Sequence, residues 1–379
     1  VLDTYAPSYS ALGDIYCTYY FDNMRAFKCY YKAFELDAGD IVAAKYMTSY
    51  YAEMSNWKAA SLVAERLVKS EKAKSKLKEV NWASKVVGIY YLENQQEADS
   101  IEWFQSSLRV NPEDIESWAG LGQAYYACGR IEASIKVFDR ALELDSQHLY
   151  CLNLKAQSLS FMGNFSDSVD ILDRITKAAP KEELFQVSLS AVLVSYAMDL
   201  YSQGLLTKAI STAGRCISVL THMISELSCH GHSFWVSLSE ALGLFTLVRS
   251  KIDDLPIEDL ITIFDSVSLD KRELVWDDLD NVSIENLLSN EKESNISITC
   301  KFLILSSKYA ISTANFDELT RTVRSSLWYN VGSAELRAFH VLKDVQYQRA
   351  AIACFKKAIQ YQSNMCEAWV GLGIATMDC

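Results

Sequence analysis

The sequence predicts an all-α protein in which helix–turn–helix repeats stack into a superhelical solenoid. Half of the 379 residues are apolar, and only 4 prolines and 14 glycines leave little room for long irregular segments. Apolar residues recur at offsets of three, four and seven, which is the period of one helix face. The same pattern returns after 34 residues, so each helix pair can bury its apolar faces on its neighbours.

The pattern is clearest in residues 115–146. The matching faces of its two helices carry Trp118, Leu121, Gly122 and Tyr125, then Ile135, Phe138, Ala141 and Leu142. Glycine inside a helix costs about 1 kcal/mol relative to alanine. Gly122 therefore indicates that the second helix comes close, and we expect Ala133 and Ser134 to supply the small surface opposite it. These spacings resemble the tetratricopeptide repeat, a helix–turn–helix unit of 34 residues.

Three consecutive units in phase, which begin at positions 81, 115 and 149, predict a stacked array. Two looser units precede them, from positions 6 and 40. The lysine-rich segment 69–79 then displaces the next unit from its expected start. We interpret this segment as a lengthened helix with a solvated face, and a basic edge that contacts RNA or an acidic partner is the alternative.

The period dissolves after Pro180 and resumes near the end of the chain. Helices without the repeat spacing are expected at residues 182–202, 205–227, 228–250, 298–312 and 316–327, with a short helix after Pro256 and an acidic insertion loop at 269–295. Trp328 restores the motif, a second helix follows at 349–361, and Trp369 opens another unit. The predicted divisions are a tetratricopeptide array (1–180), an irregular helical segment (181–300) and a resumed array (301–379). Because the last repeat is interrupted, we expect the array to continue beyond Cys379.

The net charge of −12 argues against a general nucleic-acid or anionic-membrane binder, which needs a basic excess. Residues 253–293 hold 13 acidic and 3 basic residues, and we interpret this stretch as solvated. Ten cysteines without paired spacing, such as Cys29, Cys128, Cys151 and Cys354, are typical of reduced, buried thiols in a cytosolic or nuclear protein. We find no signal peptide and no apolar run long enough for a membrane span.

A search for catalytic motifs predicts no active site and no cofactor. The sequence has no glycine-rich phosphate loop, no nucleophile elbow and no paired-cysteine metal spacing. The best metal candidate is the cluster of His222, Cys229, His230 and His232. It offers one thiolate and lies at a helix junction, so we interpret it as an ordinary turn rather than a zinc site. The chain is therefore predicted not to be an enzyme.

Tetratricopeptide arrays bind partners along the concave face that their first helices line. In the strict units this face is predicted to include Trp82, Lys85, Glu116, Gln123, Tyr126 and Asn153. The co-chaperone subclass grips a peptide carboxylate with paired Lys, Asn and Arg on three successive first helices. Only Lys85 and Asn153 are of suitable type, so a co-chaperone is not expected.

Three segments in a fixed order carry a closer resemblance. They are ESWAGLGQAYYACGRIEASIKVFDRALELD, the later HGHSFWVSLSEALGLFTLVRSKIDDLPIEDLITIF, and LWYNVG followed by a further unit. From about Asn81 to Cys379 the sequence resembles the tetratricopeptide scaffold subunit of the superkiller (Ski) complex, of fungal type. The irregular middle, with Trp235, Phe245 and Leu255–Pro256 between two arrays, separates this family from other tetratricopeptide proteins.

The resemblance implies a non-catalytic scaffold in the cytoplasm, with the nucleus as a second location and no membrane contact. Such a scaffold holds a DExH-box RNA helicase and WD-repeat propeller subunits, and the assembly feeds RNA to the exosome for 3′-to-5′ decay. Exosome-associated factors and the ribosome are further candidate partners, and RNA contact by this chain is expected to be indirect or minor. The family's propeller recognises Gln-Arg-x-x-hydrophobic segments. Gln348, Arg349 and Ile352 fit that spacing, although Ile352 also fits an ordinary repeat helix.

Two other classes remain open at this point. Another assembly scaffold, of a ubiquitin ligase or a transport machine, would show uninterrupted repeats instead of the break at 269–295. The non-catalytic array of an enzyme such as a protein glycosyltransferase would need a catalytic domain elsewhere. The irregular middle favours the Ski-type scaffold over both.

Overall fold

The computed structural model describes residues 5–70, 75–228, 231–266, 294–314 and 319–377. All regular structure within these ranges is helical, which confirms the predicted all-α fold. The chain forms two compact units, Val1–Met162 and Gly163–Cys379. The division falls between the two helices of the third strict repeat.

The first unit consists of helix pairs. Its helices in the described part are α1 (Ala6–Thr18), α2 (Asn23–Leu36), α3 (Ile41–Glu53), α4 (Trp57–Val68), α5 (Leu77–Glu93), α6 (Glu97–Val110), α7 (Ile115–Ala127), α8 (Ile131–Leu144) and α9 (Leu149–Phe161). Each first helix packs on its own second helix, and each second helix packs on the next first helix. At 17 residues α5 is longer than α1 and α3, but it takes up only Leu77–Glu79 of the lysine-rich segment 69–79, of which residues 71–74 lie outside the described residues.

The turns inside these pairs share one backbone conformation. Each places a single residue in the left-handed region, namely Phe21 (φ 52°), Ser55 (56°), Gln95 (59°) and Gly129 (75°). After Ser55, Gln95 and Gly129, the next amide donates to the carbonyl five residues earlier at 2.8 or 2.9 Å. This is the Schellman arrangement, which satisfies the carbonyls at a helix end.

Gly122 provides the close approach between α7 and α8 that the sequence predicted. A Cβ atom at this position would lie 2.3 Å from Cε1 of Phe138, which is closer than real Cβ contacts. The expected facing surface of Ala133 and Ser134 is therefore wrong, because the ring of Phe138 fills the space. A large aromatic residue on the second helix is what requires the glycine.

The second unit contains longer and less regular helices. In the described part they are α10 (Phe165–Ala178), α11 (Glu183–Ser202), α12 (Leu206–Leu227), α13 (His232–Leu247), a 3₁₀ helix (Arg249–Asp254), α14 (Ile257–Ser266), α15 (Asn295–Ser312), α16 (Arg321–Leu342), α17 (Val345–Tyr361) and α18 (Cys366–Met377). The two helices expected at 316–327 and 327–339 are wrong, because α16 runs continuously from Arg321. Thr320 caps it by accepting from the Val323 amide at 3.4 Å, and neither glycine nor proline interrupts it near Leu327.

An aromatic cluster forms the core of the irregular middle. The Trp235 ring stacks on Tyr309 with centroids 4.6 Å apart, and Phe264 stacks on Phe302 at 5.0 Å. Trp235 and Phe264 are in turn 5.5 Å apart. The cluster joins α13, α14 and α15, so the segment after Pro256 is part of the core of this unit.

Helix α11 is long and apolar enough to cross a membrane by length and composition, which the sequence analysis did not expect. It has 20 residues with a mean hydropathy of 1.3, and 56% of it is buried within the fold. The core helix of a globular protein has the same composition. The search covered the described residues, where no other helix passes the same test.

Two sequence features lie outside the described residues. These are Cys229 and His230 of the proposed turn, and residues 267–293 with most of the acidic segment. The cysteines that are described carry free thiols, and Cys151 and Cys354 are buried as expected. Cys29 is only half-buried and Cys128 is exposed, so the expectation of burial was wrong for these two.

Candidate protein-interaction surface

Lys85 forms the centre of a charged group on the first helices of the strict repeats. Its Nζ lies 2.7 Å from Oε2 of Glu116 and 3.3 Å from Oδ2 of Asp114. Burial lowers the pKa of Lys85, but the hydrogen bond to Glu116 and the charge of Asp114 outweigh it, and the net pKa is raised. The carboxylates of Asp114 and Glu116 surround the single ammonium group of Lys85, so this part of the surface carries a net negative charge.

Two further predicted residues are joined to the next first helix by side-chain contacts. Gln123 on α7 accepts a hydrogen bond from the hydroxyl of Tyr150 on α9 at 3.2 Å. Tyr126 packs edge-to-face on Phe161, with ring centroids 6.2 Å apart. Phe161 is 70% exposed, so an aromatic surface continues from this contact into solvent.

The remaining two residues of the predicted face are more deeply placed. Asn153 is only 1% exposed, and its Oδ1 has no hydrogen-bond partner among the described residues. The Nε1 atom of Trp82 is also buried without a partner there. A buried polar atom without a partner costs about 1–3 kcal/mol. At both positions, therefore, a buried polar atom forms no hydrogen bond with a described residue.

The Gln-Arg-x-x-hydrophobic segment lies on α17. Gln348 is 4% exposed, and its Nε2 donates to the carbonyl oxygen of Ala375 on α18 at 2.8 Å. Arg349 is exposed, and Ile352 is half-buried. The three side chains thus do not share one open surface, since Gln348 ties α17 to α18 while Arg349 faces solvent.

The turn between α1 and α2 exposes aromatic side chains that the sequence analysis did not single out. Tyr19, Tyr20 and Phe21 are 76%, 70% and 81% exposed. Aromatic residues are enriched in protein–protein interfaces, where one large rigid side chain buries much area. The consecutive run YYF before a capping Asp22 was the available sequence signal.

A polar cleft in the second unit was also missed. It has a volume of about 260 Å³ and is lined by α11, α13, α15 and α16. Arg337 of α16 and Glu240 of α13 both line it. The sequence signal for this cleft was Arg337 within the apolar helix segment ELRAF. Such an arginine does not by itself indicate a cleft, because arginine is equally common on a solvated helix face.

A buried ion pair lies on the other side of α16. Lys308 Nζ and Glu335 Oε1 are 3.7 Å apart, and the two side chains are 3% and 0% exposed. Neither carboxylate oxygen of Glu335 has a hydrogen-bond partner in the described part of the chain. Burial raises the pKa of Glu335 to about 7, although the charge of Lys308 opposes the shift.

The predicted site residues form packing contacts and polar surfaces. Within the described residues, no group of three or more His, Cys, Asp or Glu side chains could hold a metal ion. The surfaces listed above are extended over several helices, as expected for a protein that binds other proteins.

Comparison with known proteins identifies the class. The family described as "Tetratricopeptide repeat" matches residues 115–148. A solved tetratricopeptide repeat protein from Parabacteroides merdae covers 89% of this chain and 98% of its own, with a TM-score of 0.52 and 11% identity. The fold is therefore that of a tetratricopeptide-repeat solenoid.

More specific similarity extends along the whole chain. Superkiller protein 3 of Saccharomyces cerevisiae is 54% identical over 378 residues, which cover 100% of this chain and 26% of that protein. Superkiller protein 3 of Schizosaccharomyces pombe is 28% identical over 379 residues, covering 98% of this chain and 26% of its own length. Superkiller complex protein 3 of Homo sapiens is 29% identical over 177 residues, 46% of this chain and 11% of its own.

These matches confirm the resemblance found in the sequence. The similarity to the fungal superkiller protein 3 sequences runs along the whole chain, including the irregular middle on which the resemblance depends. It spans 26% of the length of each fungal relative.

Proposed function

We propose that this chain is a scaffold segment of the Ski complex. In this role it helps to hold an RNA helicase and WD-repeat propeller subunits together in the cytoplasm, where the assembly feeds mRNA to the exosome for 3′-to-5′ decay. The observation that carries the proposal is the 54% identity to superkiller protein 3 across the complete chain. The irregular middle is included in that match, and a generic repeat would not reproduce it.

The described surfaces support a binding role without catalysis. The acidic group around Lys85, the contact of Gln123 with Tyr150 and the exposed aromatic turn at Tyr19 all lie in the first unit. Interfaces gain most from a few aromatic and arginine anchors within a polar surround. We therefore assign partner binding to Trp82, Lys85, Glu116, Gln123 and Tyr126, and leave out Asn153 because its side chain is buried.

The first test is affinity purification of the full-length parent protein from cell extract, with chemical cross-linking and mass spectrometry. We expect an RNA helicase and a WD-repeat protein in the purified material, with cross-links to this segment. Recovery of a ubiquitin-ligase or transport assembly in their place would contradict the Ski assignment and leave only the tetratricopeptide fold.

A second test locates the contact. Replacing Gln123 and Tyr126 by alanine should lower the recovery of a partner that binds the first unit, whereas Glu132→Ala, on an exposed face of α8, should not. In the Gln-Arg-x-x-hydrophobic segment only Arg349 is exposed, so Arg349→Glu is the variant that should lower recovery of the WD-repeat subunit. The matched control is Lys356→Glu, an exposed charge on the same helix. Equal losses from a variant and its control would reject that site.

A further inference from the structure

The polar cleft of the second unit contains a cation without an anionic partner. Nη1 of Arg337 donates to the carbonyl oxygen of Gly243 at 3.0 Å and to Oγ1 of Thr246 at 3.2 Å. Both acceptors are neutral. Arg337 is half-buried, and among the described residues no carboxylate forms an ion pair with its guanidinium.

The surroundings hold the guanidinium in place and leave part of it unused. Gly243 lets the guanidinium lie close to α13, because a Cβ atom there would be 3.0 Å from Nη1 of Arg337. A guanidinium has five N–H donors, of which Nη1 supplies two. The N–H groups of Nε and Nη2 have no acceptor in the described structure. They form the fork that binds a carboxylate through two parallel hydrogen bonds.

An acid on the other side of the cleft completes the charge pattern. Glu240 of α13 also lines the cleft and forms no hydrogen bond or ion pair with a described residue. Glu240 is exposed to solvent, although partial desolvation by its surroundings raises the pKa of its carboxyl group. Because Glu240 and Arg337 do not pair with each other, the cleft presents one unpaired positive and one unpaired negative group to an occupant.

The rest of the lining fits a peptide better than a nucleic acid. Tyr329, Asn330 and Ser333 of α16 supply hydroxyl and amide groups that can bond a peptide backbone. A phosphate chain needs several cations, whereas Arg337 is the one basic residue in this lining. The lining also runs from Met198 of α11 across α13 to α16. A segment that crosses from α13 over α15 to α16, at about 8–10 Å between neighbouring helices, spans about 16–20 Å, or five to six extended residues at about 3.3 Å each.

We propose that this cleft binds an extended segment of a partner protein. The carboxylate of an aspartate or glutamate in that segment accepts hydrogen bonds from Nε and Nη2 of Arg337. A lysine or arginine nearby in the same segment faces Glu240. The inference concerns the second unit alone and holds whichever assembly the parent protein belongs to. The C-terminal carboxylate of a partner protein could also supply a carboxylate to Arg337. Such a terminus is usually bound by several cations, and this cleft has one. The segment proposed here crosses the cleft instead of ending in it.

The test uses the complete 379-residue chain and a displayed library of random peptides of about twelve residues, twice the length that the cleft accommodates. The peptides are joined to the carrier at their C-termini, so no free terminal carboxylate is present. We expect selected peptides to share an acidic residue with a basic residue at a fixed offset. Selection on Arg337→Gln should lose the acidic preference, and selection on Glu240→Gln should lose only the basic one. Peptides without an acidic preference, or with one that Arg337→Gln leaves intact, would overturn the proposal.

Affinities of one selected peptide then separate binding from folding. Replacing its acidic residue by the amide should weaken binding to the wild-type chain by about tenfold or more. The same replacement should change nothing for the Arg337→Gln chain, and Arg337→Lys should fall between them because it keeps the charge and loses the fork. The peptide variant leaves the protein unaltered, so its effect is independent of stability. If a peptide with a free C-terminus and no acidic side chain binds as well, the side-chain assignment is wrong.

Discussion

The regular repeats and the irregular middle fill their interiors in different ways. In the regular part, a phenylalanine of the second helix lies between a glycine of its own first helix and a glycine of the next first helix. This arrangement occurs once in each unit, as Phe104 with Gly88 and Gly120, and as Phe355 with Gly332 and Gly371. Each glycine Cβ would lie 2.3 to 3.1 Å from the ring, so the glycines are needed for the ring to fit.

The middle has no such glycine beside its tryptophan. Ser239 follows Trp235 by four residues, where Gly122 follows Trp118, and the core is built from stacked aromatic rings instead. Charged side chains are buried where the middle meets the resumed array, as the pair of Lys308 on α15 and Glu335 on α16 illustrates. The regular part thus repeats one packing solution, while the middle combines large rings with polar groups that stability alone does not require.

The largest expected effect comes from removing a ring between two glycines. Phe104→Ala should lower the free energy of unfolding by about 3–5 kcal/mol, because Gly88 and Gly120 have no side chains to fill the space. Phe264→Ala in the middle should cost less, since Trp235 and Phe302 can move into the gap. Urea unfolding with segment-resolved hydrogen exchange measures both. A larger loss for Phe264→Ala would contradict the proposed difference between the regions.

The converse change overfills the same interface. Gly122→Leu should lower the free energy of unfolding by about 1–3 kcal/mol, because its side chain would overlap the ring of Phe138. Gly373 is the matched control, since it holds the equivalent position on α18 and has no neighbour within 4 Å of an added Cβ. In the 379-residue chain Gly373→Leu should therefore be neutral or stabilising. An unchanged unfolding midpoint for Gly122→Leu would contradict close packing there.

The buried carboxyl of Glu335, at the start of the resumed array, predicts a pH dependence of stability. The pKa of Glu335 is raised by burial from 4.5 to about 7 in the folded state. The stabilisation from its protonated form is fully present below about pH 4.5 and is lost as the pH rises through about 7. Glu335→Gln mimics the protonated form. Relative to wild type, its free energy of unfolding should therefore rise by about 2–3 kcal/mol between pH 5 and pH 8.

Denaturant unfolding at the two pH values measures this difference. The control is Glu132→Gln on α8, whose side chain is exposed and whose substitution should give the same difference from wild type at both. A Glu335→Gln variant that follows wild type across this range would show that the carboxyl group does not titrate with a raised pKa.

Much of the fold could be predicted because one period governs it. The spacing of Trp118, Gly122 and Phe138 places helices, turns and contacts together, and Trp369 repeats it in detail. The indole of Trp118 donates to the carbonyl of Pro112 at 2.8 Å, and that of Trp369 donates to Ser363 at 2.8 Å. Periodicity did not reveal that α16 is continuous, since an apolar motif that begins at Leu327 does not require a helix to begin there.

The candidate sites were less predictable because side-chain pairing has no period. The sequence placed Lys85 and Glu116 on one face, but it did not indicate that they neutralise each other. Gln348 matched a recognition pattern, yet its hydrogen bond to Ala375 depends on how α18 packs. Arg337 is an ordinary helix residue until its partners on α13 are known. Burial and the identity of the opposing residue decide function in these cases, and both are tertiary properties.

The smallest expected effect on stability concerns the turns within the helix pairs. These turns have the same backbone conformation, but different residue types occupy the left-handed position. Ser55 and Gly129 occupy the same left-handed position, with φ of 56° and 75°. Ser55→Gly should raise the free energy of unfolding by about 0.5–1 kcal/mol, and Gly129→Ser should lower it by a similar amount, because only glycine adopts this conformation without strain. Both residues are exposed, so no lost contact confuses the comparison. Thermal unfolding of the two reciprocal variants and of the double variant measures the effect, and the double variant should be close to wild type. If the free energy of unfolding changes with the same sign in both single variants, the two turns are not equivalent. The 34-residue period would then determine where the helices lie but not the conformation of the turns.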